Sequence, residues 1–281
     1  MTRRFLVVNA DDLGLTRGIN RGIRDAHLNG VVTSTSLLTV AREVKDAVAM
    51  LHATPSLDVG LHLALVGEDP PVLTAREVPT LVDRRGSFPL TYRQFLLRAA
   101  AGRVDAADVA REFAAQAQRA TSEGLQLSHL DSHQHVHLWP PVASAVIDLA
   151  RTLDIPYVRL PRAHGGGPLN WGVNALSTRL RRQLRAARLP SADFSYAGLD
   201  EAGSMGRDAF RRALEAVARS SAPIAEINVH PGYADADSSR FEWDYHWDDE
   251  VAALVDARTA ADIAGHGFTC TSFADLPGRR A

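Results

Sequence analysis

Cysteine is nearly absent from this chain: Cys270 is the only one among 281 residues. No intrachain disulfide can form and no thiolate cluster is available, so any bound metal must be held by histidine and carboxylate. An excess of charge of one sign is also missing. With 31 Lys and Arg against 33 Asp and Glu, the formal net charge is −2, which gives the chain as a whole no electrostatic footprint for nucleic acid. No apolar run reaches membrane-spanning length. The first apolar segment starts too close to Met1 for the charged, apolar and small-residue succession of a signal peptide. The expectation is a protein of the reducing cytoplasm. Repeats at a solenoid period and low-complexity tracts are lacking too.

What the chain does contain is alternation. At 46% hydrophobic and 23% charged, it is long enough for one large α/β domain with a substantial core. Apolar, β-branched segments at 5–10, 31–39, 57–65, 125–132, 156–160 and 224–230 read as strands. Stretches at 18–29, 41–51, 92–101, 105–122, 141–153, 176–189, 207–219 and 248–265 read as helices, most with Ala, Leu, Arg and Glu at helical spacing. Repeated β-α alternation implies a parallel sheet. Six to eight strand candidates over this length favour an irregular (β/α) barrel, TIM-like and spanning 1–281 as a single domain. Three segments, 66–90, 162–172 and 231–247, read as loops long enough to form lids or binding surfaces.

The first strand candidate ends in two adjacent carboxylates, Asp11 and Asp12. Loops beyond the carboxyl ends of parallel strands converge on one crevice, which is where such acids do chemistry. Side chains alternate along a strand, so the two acids can take different jobs, one on a metal and one on a proton. A helix cap before the stretch from Gly18 is the plainer alternative.

A second signal is the run His129-Leu-Asp131-Ser-His133-Gln-His135-Val-His137. Extended geometry would place Asp131, His133, His135 and His137 on one face. That is too many polar groups for an ordinary core, and neutral imidazole is a natural ligand for ions such as Zn²⁺. His62, near the end of a third strand candidate, would point into the same mouth if the fold is a barrel. His230 follows a fourth, before Pro231-Gly232 turns the chain away.

These segments, Asn9-Ala-Asp11-Asp12-Leu-Gly14-Leu, Val32-Thr-Ser-Thr-Ser36, Gly60-Leu-His62-Leu, the histidine run and His230-Pro231-Gly232, closely resemble the YdjC-like carbohydrate deacetylases. They span most of the chain in the order that family has them. The resemblance implies an irregular (β/α) barrel, a single divalent metal and removal of acetyl from an N-acetylated sugar. Carried to matching positions, it makes Asp12, His62 and His133 the metal ligands and Asp11 the general base, and leaves His135 and His137 lining the site or supporting the ligands from behind. The segment from Tyr196 to Met205 looks more like the hopanoid-biosynthesis-associated (HpnK) branch than the chitooligosaccharide branch. That branch implies an N-acetylglucosaminyl bacteriohopanetetrol as substrate. Leu13, where Phe is frequent, and Gln134 depart from the family wording without removing a ligand.

A mechanism follows from those assignments. The metal would activate water and polarise the acetyl carbonyl, Asp11 would take the water's proton, and His230 would protonate the leaving amine, with Glu226 either orienting His230 or purely structural. Arg159, at another strand end, would hydrogen-bond sugar hydroxyls or pair with the site's acids. Trp243, among Phe241, Tyr245 and Trp247, suits stacking on a sugar face or packing of its own loop. Two histidines and one carboxylate accept Zn²⁺, Mn²⁺, Co²⁺ or Ni²⁺, and Mg²⁺ is also allowed; Zn²⁺ and Mg²⁺ are the first choices. The stretch 176–189 carries leucines at helical spacing and a basic opposite face, which fits a solvated helix or peripheral contact with an anionic membrane. A homodimer is the base-rate oligomer. Competing readings are another barrel hydrolase such as a glycosidase, which would need paired carboxyls and no histidine ligands, and a non-catalytic sugar- or metal-binding protein.

Overall fold

A computed structural model describes residues 3–197 and 201–276. Strand β1 (Arg4–Leu13) leads into α1 (Arg17–Leu28), then β2 (Ser34–Leu37), α2 (Val44–Ala53) and β3 (Asp58–Leu63). Helices α3 (Tyr92–Ala100) and α4 (Ala106–Ser122) precede β4 (His129–Ser132), which runs into a 3₁₀ segment, His133–Leu138, and then α5 (Pro140–Thr152). The second half holds β5 (Tyr157–Val158), α6 (Pro168–Ala187), β6 (Phe194–Tyr196), α7 (Arg207–Arg219) and β7 (Ile224–Val229). A 3₁₀ turn at Ser238–Arg240, α8 (Trp247–Val255), α9 (Ala257–Gly265) and β8 (Phe268–Cys270) complete it.

All strand pairs are parallel, in the order β5-β4-β3-β2-β1-β7-β6, with β8 pairing the first residues of β1. The sheet curls into an irregular (β/α) barrel, and no ladder joins β5 to β6 among the described residues. Strand β1 pairs with three others, β2, β7 and β8. Leu6, Val7, Val8 and Ala10 are wholly buried, as expected of a strand covered on both faces, and each fully buried Leu or Val contributes about 1.5–3 kcal/mol. No described helix is long and apolar enough to cross a membrane.

Helix α1 shows how the sequence fixes the mouth of the barrel. The Thr16 hydroxyl accepts from the Ile19 amide as an N-cap, and Ile19, Ile23 and Ala26 form the buried stripe. Gly18 and Gly22 let the loop after β7 approach. A Cβ at Gly22 would sit 2.4 Å from Gly232 Cα, and one at Gly18 would sit 2.0 Å from the Tyr233 carbonyl oxygen. The turn that follows His230 is thereby pressed onto α1.

Several sequence expectations are corrected. The histidine run is not extended beyond Ser132: Gln134 and His135 take left-handed φ values of 49° and 53°, and the chain coils. The stretch 248–265 is two helices, because the backbone is extended at Asp256, whose side chain caps α9. The helix expected at 176–189 begins at Pro168, where proline occupies the first turn. The strands β6 and β8 are three residues each, too short for a periodicity to reveal.

Candidate active site and metal centre

Asp11 and Asp12 both enter the site because β1 is irregular there. The register with β2 shifts between Ala10 and Leu13, and Asp12 has φ 67°. In a regular strand neighbouring side chains oppose each other; a bulge with one left-handed residue re-aims the second. Gly14, at φ 107°, then turns the chain toward α1, and its amide donates to Asn20 Oδ1 at 2.8 Å.

Asp12 Oδ1 lies 2.9 Å from His133 Nδ1 and 3.5 Å from His62 Nε2. All three side chains are buried, and one ligand atom from each falls within 4.8 Å of the others. The coil after β4 makes this possible. His133 opens the 3₁₀ segment instead of continuing the strand, so His62 from β3 and His133 meet edge to face with ring centroids 5.6 Å apart. His62 Nδ1 lies 2.6 Å from Asp131 Oδ1. That contact directs Nε2 to Asp12 and fixes the tautomer a metal ligand needs.

Asp131 is itself braced. It accepts from the Ser36 hydroxyl at 2.7 Å and pairs with Arg159 Nη1 at 2.8 Å, while Ser36 Oγ lies 3.0 Å from His129 Nε2. Gly60 leaves room for the His129 ring, which an added Cβ would meet at 2.4 Å.

Arg159 organises the acids. Its guanidinium reaches Asp11 through Nη1 and Nη2 at 2.7 and 2.8 Å, and Nε donates to Glu226 at 2.6 Å. The side chain is wholly enclosed. Of the two roles expected from sequence, pairing with the acids is the one the side chain makes here. His137 is buried, between Ser132 Oγ at 2.6 Å and the Arg159 carbonyl oxygen at 3.2 Å, where it supports the site from within the protein. His135 is half-buried, with Nδ1 lacking a partner.

His230 directly follows β7, the strand paired with β1, and its Nε2 stands 4.0 Å from Asp11 Oδ2. Its amide donates to Glu250 at 2.6 Å, and the other Glu250 oxygen accepts from the Met205 amide at 3.0 Å. Trp243 tilts over His133 with ring centroids 5.6 Å apart, and its indole donates to Glu68 at 3.2 Å. Beside them a cleft of about 570 Å³ is lined by residues that include Glu68, Leu90, Gln134, Trp243 and Tyr245.

The electrostatics follow from burial among opposite charges. Burial raises the Asp12 carboxyl, but the neighbouring His133 and His62 outweigh it and hold it well below the carboxylate range. Burial lowers His62, yet Asp131, Asp11 and Asp12 raise it to about 9. Asp131 is held low by Arg159 and His62 against its burial. Burial lowers His129 and His137 to about 4, leaving both neutral. Glu226 and Glu250 are raised by burial.

One carboxylate and two imidazoles, buried and converging, are a donor set that fits a divalent ion. A second grouping, Asp11, His62 and Asp131, fits less well, because the Arg159 cation already binds both of its acids. Sequence reasoning missed Ser36, Glu68 and Glu250 as parts of the site. Glu250 lies in α8 and gives no local signal, whereas Ser36 stood in a quoted motif without a role.

Comparison with known proteins places this geometry. A carbohydrate deacetylase of Halalkalibacterium halodurans is 41% identical over 151 residues, 54% of this chain and 62% of that protein, so this alignment spans less than two thirds of the relative. A chitooligosaccharide deacetylase of Yersinia pestis is 30% identical over 277 residues, covering 97% of this chain and 99% of its own. The crystal structure of an Enterococcus faecalis protein, provisionally named for cellobiose-phosphate cleavage, superposes with a TM-score of 0.80 at 26% identity, over 98% of this chain and 99% of that one. The family model described as YdjC-like protein matches residues 5–265, and the chain belongs to that family.

Proposed function

We propose that this protein is a metal-dependent carbohydrate deacetylase that hydrolyses the N-acetyl group of an N-acetylated amino sugar. The observation that carries the reading is the Asp12, His62 and His133 cluster next to an arginine-tethered Asp11 with His230 4.0 Å away. The full-length similarity to a chitooligosaccharide deacetylase supports it.

Asp12, His62 and His133 would hold one divalent ion, which when bound supplies Lewis acidity toward the acetyl carbonyl and toward water. The donor set suits Zn²⁺, with Mg²⁺, Mn²⁺, Co²⁺ and Ni²⁺ as alternatives. Asp11 accepts the proton of the attacking water. Arg159 keeps that carboxylate oriented, since both oxygens are fixed by its two terminal nitrogens. As the water oxygen bonds to the carbonyl carbon and the C–N bond breaks, His230 gives its Nε2 proton to the departing nitrogen, leaving acetate and a free amine. Glu250 holds the backbone at His230 in place, and Trp243 offers a half-buried ring beside His133 on which a sugar face can stack.

The narrower reading is an N-acetylglucosamine carried on a hopanoid lipid, cleaved in the cytoplasm by an enzyme that touches the membrane and pairs as a homodimer. Its sequence support is the segment Tyr196 to Met205, of which residues 198–200 lie outside the described residues. The test is acetate release from N-acetylglucosamine oligomers and from an N-acetylglucosaminyl lipid, with a chelator control. Chelator-sensitive release supports the reading and chooses the branch. Release of reducing ends instead of acetate, or no release by metal-loaded protein, overturns it.

A further inference from the structure

Between Asp154 and Asp193 the chain has no acidic residue and seven arginines. One, Arg159, is enclosed in the site. The other six, Arg162, Arg179, Arg181, Arg182, Arg185 and Arg188, make no ion pair among the described residues. Arg181 is lowered by burial and by the charges of Arg162 and Arg185, with Asp193 opposing. Arginines elsewhere, such as Arg17, Arg42, Arg207 and Arg240, have acids within ion-pair distance; what sets this segment apart is a concentration of arginines with no acid interspersed among them.

The arginines share a face of α6 with an exposed aromatic. Trp171, Ala175, Thr178, Arg182 and Arg185 follow one another at i, i+4, i+7, i+11 and i+14, and all are exposed, while Ser177, Leu180 and Leu184 are buried on the inner side. Trp171 is 67% exposed and Leu169, in the same first turn, 54%. A large indole left in water at the end of a basic stripe suits a lipid interface: the ring enters the acyl boundary and arginines sit on phosphates. Small spacers between them keep the face flat. Base readout of nucleic acid has no use for the apolar end.

We infer that the outer face of α6 is a docking surface for an anionic lipid bilayer, with Trp171 in the interface and Arg179, Arg182 and Arg185 on lipid phosphates. Helix α6 is entered from the carboxyl end of β5 and contacts the 3₁₀ segment that His133 opens, so its first turn, with Trp171, lies at the mouth end of the sheet. Docked this way, the mouth end of the barrel is held close to the membrane surface. That last orientation rests on the deacetylase reading, since it presents a sugar displayed on a lipid; docking itself does not.

The test is flotation of the full chain with phosphatidylcholine vesicles with and without phosphatidylglycerol, at low and high salt. Wild type should float only with phosphatidylglycerol vesicles and be released by salt. Arg182→Gln/Arg185→Gln should bind roughly 30-fold more weakly, about fivefold per arginine. Trp171→Ser should also bind more weakly and lose the blue shift of tryptophan fluorescence that vesicles produce in wild type. All three residues are exposed, so circular dichroism should be unchanged, and acetate release from a soluble oligosaccharide should match wild type. Failure of docking is thus separable from failure of the deacetylase reading. No flotation of wild type, equal flotation of wild type and the arginine variant, retention on duplex DNA without retention on vesicles, or a wild-type dimer that the variants dissolve would each overturn the inference.

Discussion

Replacing Arg159 by methionine should destabilise the protein mainly by orphaning acids, a cost that a second substitution can partly undo. The guanidinium is enclosed and is the cationic partner shared by Asp11, Asp131 and Glu226, at 2.7, 2.8 and 2.6 Å. Breaking a buried pair by removing one partner costs about 3–5 kcal/mol, and a native domain has only about 5–15 kcal/mol in total. The variant should therefore unfold at a markedly lower urea concentration. Glu226 is already raised by burial, so Glu226→Gln alone should be mild, and Arg159→Met/Glu226→Gln should cost less than Arg159→Met alone. The two sites touch, so a coupling on the order of 1–3 kcal/mol is expected. Its sign with pH is fixed as well. An orphaned buried acid has a folded pKa above its unfolded one, so the folded state binds more protons and the associated stability is present at low pH and lost as pH rises through the folded pKa. The deficit of Arg159→Met should be larger near pH 8 than near pH 5. Equilibrium urea unfolding of the metal-free proteins at both values measures it. Strict additivity, together with a deficit independent of pH, would refute the reasoning.

Other outcomes follow from the same geometry. His62 is raised to about 9 when no ion is present, so ion uptake must displace its proton; affinity should rise about tenfold per pH unit below that value, and calorimetry in two buffers should detect the released proton. Asp131→Asn removes the carboxylate from His62 Nδ1 and should weaken metal affinity about 10- to 100-fold, read by competition with a chromogenic chelator. His129 and His137 are lowered to about 4, so the unfolded chain takes up their protons first as pH falls from about 6.5. Each should remove up to roughly 3 kcal/mol of stability between those values, visible as a flatter acid limb in His129→Gln. Gly22→Ala would drive a methyl into the Gly232 backbone; it should cost about 1–3 kcal/mol and lower turnover by displacing His230, with metal content unchanged.

The fold class was legible because β-α alternation carries period information along the whole chain, and β1 carries the apolar run Phe5 to Val8. Strand lengths were not: β5, β6 and β8 hold two or three residues each, and their positions are set by neighbours rather than by their own pattern. Asp12, His62 and His133 were identified because polar groups at the ends of apolar strands stand out and because the motifs resemble a family. Their mutual approach was not readable. It depends on a bulge after Ala10 and on left-handed backbone at Asp12, Gln134 and His135, each a local cost of about 1–2 kcal/mol that only tertiary contacts can support. Arg159 illustrates the limit from the other side. Its chemistry was foreseen in two forms, and only the packing of β1, β4 and β7 around it decides for the enclosed one.

The most direct test compares metal content and acetate release in the same preparations of wild type, Asp11→Asn and His62→Ala. The account predicts that wild type and Asp11→Asn each hold about one ion per chain while turnover of Asp11→Asn falls by about 10²–10⁴-fold, and that His62→Ala loses both the ion and activity. A fully active Asp11→Asn enzyme, or a metal-free His62→Ala protein that still releases acetate, would contradict it.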